Sequence, residues 1–196
     1  MSFTEGYKAL DIGCGNGRHA AYLANQGATV DAIDISGAAI QLSENLIKSR
    51  NLDKSVRLHH RSCLDFFPSI AGGYDLILDS YMSCHLLEHD ERKDFFLKVR
   101  NALAPGGLYI NFGISLNDTY YSKFNTTNKQ DGVVIIDSNS RIPKLITSKN
   151  YLSQEISGLL NVFRTEEVFM KDNMGKIEYA KAAVVVVARD TLSNAL

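Results

Sequence analysis

Cysteine is scarce: the 196 residues hold three, Cys14, Cys63 and Cys84, an odd number with no framework spacing. That excludes a disulfide-stapled secreted scaffold and points to a reducing, cytoplasmic compartment. Long apolar runs are missing too; residues 182–188 are apolar but too short for a membrane span. The start lacks the basic-then-apolar pattern of a signal segment. Charge of one sign is not in excess: 21 basic and 22 acidic residues give a net −1, well mixed along the chain. With no basic stripe, the composition argues against a nucleic-acid partner. There is no internal repeat and no low-complexity tract. A hydrophobic content of 45% suits one globular domain over residues 1–196.

The most informative stretch is Leu10-Asp11-Ile12-Gly13-Cys14-Gly15-Asn16-Gly17-Arg18. An apolar strand ends in a carboxylate, three glycines alternate, and a helix begins. Glycine lets the chain turn sharply and lets a ligand approach the main chain, and the N–H groups of the next helix start form a polar cradle. Asp34 follows 21 residues after Gly13, the spacing at which a carboxylate meets a ribose in a βαβ nucleotide site.

Periodicity predicts strands at 7–12, 29–33, 56–60, 76–78 and 108–112, alternating with helices at 18–26, 38–49 and 90–103. That alternation implies an α/β fold, a doubly wound sheet with helices on both faces. Residues 113–149 break the pattern as a polar insert, with a hairpin suggested by 133–136 and 141–146 and Pro143 on an edge. An insert this long usually covers a site. A helix at 154–160 with Ser153 as N-cap and two strands, 162–169 and 177–188, complete the pattern.

The glycine stretch resembles the first motif of the class I S-adenosylmethionine-dependent methyltransferases. The segment Tyr74-Asp75-Leu76-Ile77-Leu78-Asp79-Ser80-Tyr81-Met82-Ser83-Cys84-His85-Leu86 resembles that family's fourth motif. The resemblance implies a Rossmann-like sheet of seven strands, mostly parallel with an antiparallel last strand. It implies S-adenosylmethionine as cofactor, S-adenosylhomocysteine as product and methyl transfer; the lack of a basic footprint and of an appended recognition domain, with only a modest insert, points to a small-molecule acceptor. It assigns Asp11, Gly13, Cys14, Gly15, Asn16 and Gly17 to the cofactor loop, and Asp34 with Ile35 to the ribose. Cys63, Leu64 and Asp65 fall to the adenine, and Asp79 and Ser80 to the methionine part. Many members carry an N-terminal helical lid; few residues precede the first strand here, so either the chain is truncated or the insert does the covering.

A nicotinamide dinucleotide is the alternative ligand. Its G-x-G-x-x-G would need glycine at position 18, which is Arg18; the shifted match through Gly15, Gly17 and Ala20 starts two residues late. Asp11 would also repel a pyrophosphate and favour a sulfonium. A non-catalytic adenosylmethionine-binding partner is the other alternative.

Tyr81 and His85 are the candidate catalytic residues on the acceptor side. His85 could serve as a general base, or simply begin a helix and pack there. Asp34 and Asp65 could likewise be capping residues. Cys14 reads as a packing residue. His85 and His89, four apart beside Cys84, lack the further ligand a metal site needs, and His59 and His60 point to opposite faces of a strand. Tyr120, Tyr121 and Phe124 form either an aromatic wall for an acceptor or the small core of the insert. The expected assembly is a monomer or a homodimer.

Overall fold

The computed structural model describes residues 3–67, 73–125, 131–137, 139–174 and 177–189. Five parallel strands carry the first half: β1 (Lys8–Ile12), β2 (Thr29–Asp34), β3 (Val56–His60), β4 (Tyr74–Ser80) and β5 (Leu103–Ser115), in the order β3-β2-β1-β4-β5. The helices α1 (Arg18–Asn25), α2 (Gly37–Ser49), the short α3 (Cys63–Phe66) and α4 (His89–Ala102) connect them.

Side-chain alternation along the strands separates two cores. Ala9, Val30, Ala32, Leu76 and Leu78 face α1 and α2, while Leu10, Ile12, Ile33, Ile77 and Tyr109 share the opposite face with Phe95, Phe96 and Val99 of α4. In β1 this alternation puts Asp11 on the α1 side among apolar neighbours.

The second half begins with β6 (Gly132–Ile136) and β7 (Pro143–Thr147), followed by α5 (Lys149–Ser157), β8 (Asn161–Met174) and β9 (Ile177–Arg189). Strand β9 runs antiparallel to β5, from Leu108 against Arg189 to Ile114 against Ala183, and β8 runs antiparallel to β9. The expected seven strands are thus β1–β5, β8 and β9. The hairpin β6–β7 joins the same sheet through Ile114 and Ser115, which gives nine strands among the described residues.

Pro143 does not lie on the outer strand. It opens β7, which β6 and β5 flank, and the first position of a strand tolerates proline's missing donor. The hairpin's Ser138 and the Gly175 expected in the last turn lie outside the described residues.

The last helix starts earlier than the pattern suggests. Ser148, not Ser153, accepts the Tyr151 N–H at 3.1 Å and caps α5, and Leu152 and Ile156, four apart, fill the core. Strand β5 extends in both directions past 108–112: Leu103 pairs with Tyr74 of β4 at one end, and β9 and β7 pair with residues up to Ser115 at the other.

Candidate functional site

Strand order reverses at β1, and the crevice beyond the carboxyl ends of β1 and β4 is where open α/β sheets place ligands. A cleft of about 690 Å³ opens there, within the roughly 300–1,000 Å³ of small-molecule sites. Gly13 of the glycine loop lines it. Gly13 has φ 67° at the point where β1 turns, and a Cβ there would sit 2.7 Å from Met82 Cβ. Cys14 N–H donates to the Ile33 carbonyl at 2.9 Å, and Ser43 of α2 donates to the Gly15 carbonyl at 2.8 Å, which fixes the loop from behind. Gly13→Ala should cost about 2 kcal/mol of stability through left-handed strain and the Met82 clash. Denaturant unfolding of the variant checks this; an unchanged midpoint would contradict it.

Three carboxylates surround the loop in different states. Asp34, at the end of β2, accepts the Gly15 N–H at 2.9 Å through Oδ2 and the Ser36 N–H at 2.8 Å through Oδ1. Each oxygen keeps a lone pair toward the cleft it lines.

Asp11 is fully buried, and neither oxygen has a hydrogen-bond partner. Burial pushes its carboxyl from 3.8 up to about 7; the Ala20 N–H, outside hydrogen-bond geometry, opposes this, and Asp34 and Asp79 add to it.

Asp79 is equally buried but fully engaged. It accepts from the N–H groups of Met82 and Ser83 at 2.9 and 3.2 Å, from Tyr109 at 2.9 Å and from Asn111 at 2.7 Å. Desolvation raises its pKa, and the hydrogen bonds to Ser83, Tyr109 and Met82 oppose this. These bonds anchor the turn after β4, in which Tyr81 takes φ 65°, strained for a residue with a ring. Arg92 holds the far end of that turn. It donates to the carbonyls of Leu86 and Leu87 at 3.0 and 2.7 Å and pairs with Glu155 at 2.6 Å, with both side chains nearly buried.

Of the residues expected from sequence, Gly13, Asp34, Ile35, Cys63, Leu64, Tyr81 and His85 line the cleft. Asp11, Cys14 and Gly17 lie beneath the loop, Gly15 is half-buried and Asn16 is its exposed tip. Cys14, with its thiol pushed up to about 12 by burial, is a packing residue. Asp79 and Ser80 fall outside the lining, as does Asp65, an exposed residue of α3; Ser62 and Arg61 line that end instead. Sequence reasoning also missed Met82, Glu91 and Ile142, the last of which the hairpin brings to the cleft. Ile35 is a large apolar side chain left 74% exposed at the cleft.

Tyr81 and His85 also line a second cavity of about 170 Å³, together with Tyr121, Tyr179, Lys144 and Lys181. They stand where the two spaces meet. The aromatic cluster of the insert therefore divides: Tyr120 is buried as its core, and Tyr121 is a cavity wall. His85 is exposed by surface area, yet its ring is desolvated enough that burial, with help from Lys144, lowers its pKa. The Tyr81 phenol is pushed up to about 12, chiefly by burial, and stays protonated. His89 turns away to Glu155, at 3.0 Å from its Nδ1. His59 bonds to Asp31 at 2.7 Å and His60 faces the Ile35 carbonyl at 3.1 Å.

The model of the methyltransferase domain family matches residues 9–107, 99 of the 196, a span that runs from β1 into β5 and contains the glycine loop, Asp34 and the turn after β4. The chain belongs to the methyltransferase domain family. It is 28% identical over 116 residues to a ubiquinone biosynthesis O-methyltransferase of Psychrobacter cryohalolentis, covering 59% of this chain and 44% of that protein. It is 31% identical over 101 residues to a 2-heptyl-1-hydroxyquinolin-4(1H)-one methyltransferase of Mycobacteroides abscessus, covering 52% and 43%. The matches thus span less than half the length of these relatives. Among solved structures, a SAM-dependent methyltransferase of Methanosarcina mazei superposes with a TM-score of 0.73 at 18% identity, over 95% of this chain and 94% of that one. A 1,6-didemethyltoxoflavin-N1-methyltransferase of Burkholderia thailandensis, with S-adenosylhomocysteine bound, gives 0.70 at 17% identity over 95% and 72%. At these identities the likeness carries the fold: a Rossmann-like, mostly parallel sheet closed by an antiparallel strand.

Proposed function

We propose that the cleft binds S-adenosylmethionine and that the protein transfers its methyl group to a small-molecule acceptor. The observation that carries this reading is the orphaned, fully buried Asp11 carboxyl under the glycine turn. A sulfonium and ammonium nearby favour its ionised form, whereas a pyrophosphate would oppose it. Gly13, whose close approach to Met82 leaves no room for a Cβ, lines the same cleft.

In this reading Asp34 accepts hydrogen bonds from the ribose hydroxyls, while Ile35 and Leu64 give the adenine an apolar contact and Ser62 lies beside them. Gly13, Cys14, Gly15, Asn16 and Gly17 shape the backbone around the methionine part. Asp79 acts as a positioning residue for Tyr81 and the chain that follows. When bound, S-adenosylmethionine supplies a methyl group already activated on sulfonium. The protein therefore works mainly by orientation. Tyr81, a protonated phenol, can donate to the acceptor. His85, whose pKa is lowered by burial and by Lys144 so that its neutral form is favoured, can take a proton from it. The three cysteines are unpaired, Cys14 and Cys84 buried, which supports a reducing, cytoplasmic compartment. Among the described residues no helix is long and apolar enough to cross a membrane.

Turnover is tested by following S-adenosylhomocysteine released from S-adenosylmethionine across a panel of small phenols, aromatic acids and amines. Release with one acceptor class is expected. Tight cofactor binding with no release across the panel would favour a non-catalytic binding partner. The rate should rise with pH to a plateau, with a midpoint below that of an ordinary histidine, because the base must be neutral and its pKa is lowered. His85→Gln should remove that acidic limb; a limb unchanged in the variant would assign the titration elsewhere.

A further inference from the structure

The second cavity, beside the cleft, has a composition that selects for charge. Three tyrosines, Tyr81, Tyr121 and Tyr179, give it aromatic walls, and two lysines, Lys144 and Lys181, reach it. Taken alone, the three rings would suit a cationic acceptor. Two of those rings already carry a cation: Lys181 Nζ lies 4.6 Å from the Tyr81 ring centre, and Lys144 Nζ lies 5.5 Å from that of Tyr121. A second positive charge would be repelled there.

The acidic residue of the cavity is held by backbone N–H groups, which stabilise its charge without neutralising it. Asp118 is buried and accepts the N–H groups of Tyr120, Tyr121 and Ala182 at 2.9, 3.0 and 3.0 Å. Each lysine is also positioned by a carboxylate that does not line the cavity. Lys144 meets Asp137 at 3.7 Å and donates to Ser140 Oγ at 2.9 Å, and Lys181 meets Asp172 at 3.4 Å. The ammonium groups are thereby fixed at the cavity, where an ammonium donates and cannot accept. The volume, about 170 Å³, falls below the roughly 300 Å³ at which drug-sized ligands begin, so the cavity suits a single ring.

We propose that this cavity is the acceptor subsite and that it takes a small aromatic acceptor carrying an anionic group, with the ring against the tyrosines and the anion on Lys181 and Lys144. Tyr81 and His85, which line both spaces, would then face the nucleophilic atom of the ring. The proposal rests on the methyl-transfer reading of the neighbouring cleft.

The test compares benzoate, benzamide and benzylammonium, three probes of one shape and three charges, by calorimetric titration of the full chain with and without saturating S-adenosylhomocysteine. Benzoate should bind at least about tenfold tighter than benzamide, with benzylammonium weakest. In Lys181→Gln, with folding checked by its circular dichroism melt, the benzoate-to-benzamide ratio should fall to about threefold or less. Lys144→Gln reads the same ratio where the first variant does not fold. Equal binding of the three probes, no binding of any, tighter binding of benzylammonium, or a ratio untouched by both substitutions would overturn the proposal. S-adenosylhomocysteine titrated alone separates the two readings: its failure to bind removes the methyl-transfer reading, while the benzoate preference still reports on the cavity.

Discussion

Asp34→Ala should weaken S-adenosylhomocysteine binding by about a hundredfold, the loss expected when charge-assisted hydrogen bonds to a ribose diol are removed. The carboxylate has two tasks at once. It lines the cleft, and it holds the N–H groups of Gly15 and Ser36 through its two oxygens. Alanine therefore also orphans two loop donors and should lower the stability of the ligand-free protein by about 1–3 kcal/mol. Asp34→Asn separates the tasks, since its one carbonyl oxygen can accept from either the loop or the ligand but lacks the charge. Its affinity should fall between the other two. Calorimetric titration of the three proteins checks the order; an alanine variant within about threefold of the parent would show that the ribose is held elsewhere.

Asp11→Asn should remove a loss of stability with rising pH, the opposite of the response of a carboxylate whose pKa is lowered by folding. The folded pKa, about 7, lies above the ordinary 3.8. Below the lower value the group is protonated in both states and contributes no difference. Between the two values the folded protein keeps a proton that the unfolded chain has lost, so stability falls as pH rises through this window. Above the folded pKa the full cost remains. A shift from 3.8 to about 7 corresponds to roughly 4 kcal/mol, of which a buried asparagine, still short of partners, should recover part.

The variant should melt higher than the parent at pH 8, and the difference should shrink toward pH 4. Reading that difference isolates Asp11 from Asp137, whose carboxyl is lowered to about 2 by bonds to Asn139, Ser140 and Tyr120 despite its desolvation. A lowered pKa acts with the opposite sign, its stability being lost as pH falls through the folded value. Thermal melts of both proteins from pH 4 to 8 test this; a variant that melts lower than the parent at pH 8 would contradict it. The same substitution should weaken S-adenosylmethionine binding, so this residue trades stability for a site.

Much of this was readable from the chain. The parallel half follows from apolar strands separated by amphipathic helices, and the glycine turn announces itself through residues that tolerate left-handed backbone. Ser148 and Ser153 are equivalent as capping residues; only the core positions of Leu152 and Ile156 choose between them. Asp65 and Ser62 differ by less than one helical turn, and the local geometry of α3 decides which lines the cleft. Asp79 ends a strand, and two of its four donors, Tyr109 and Asn111, come from about thirty positions away. The Arg92–Glu155 pair, the entry of Ile142 into the cleft and the meeting of Tyr81 with Lys181 join segments whose separation leaves no local pattern.

The most direct measurement is the thermal shift of the purified protein with S-adenosylmethionine, S-adenosylhomocysteine, NAD and NADP side by side. A ligand at a hundred times its dissociation constant stabilises the folded state by about 2.7 kcal/mol. The two adenosyl ligands should raise the melting temperature and lose that effect in Asp34→Ala. A response to NAD or NADP alone, or none to the adenosyl pair, would contradict the account at its base.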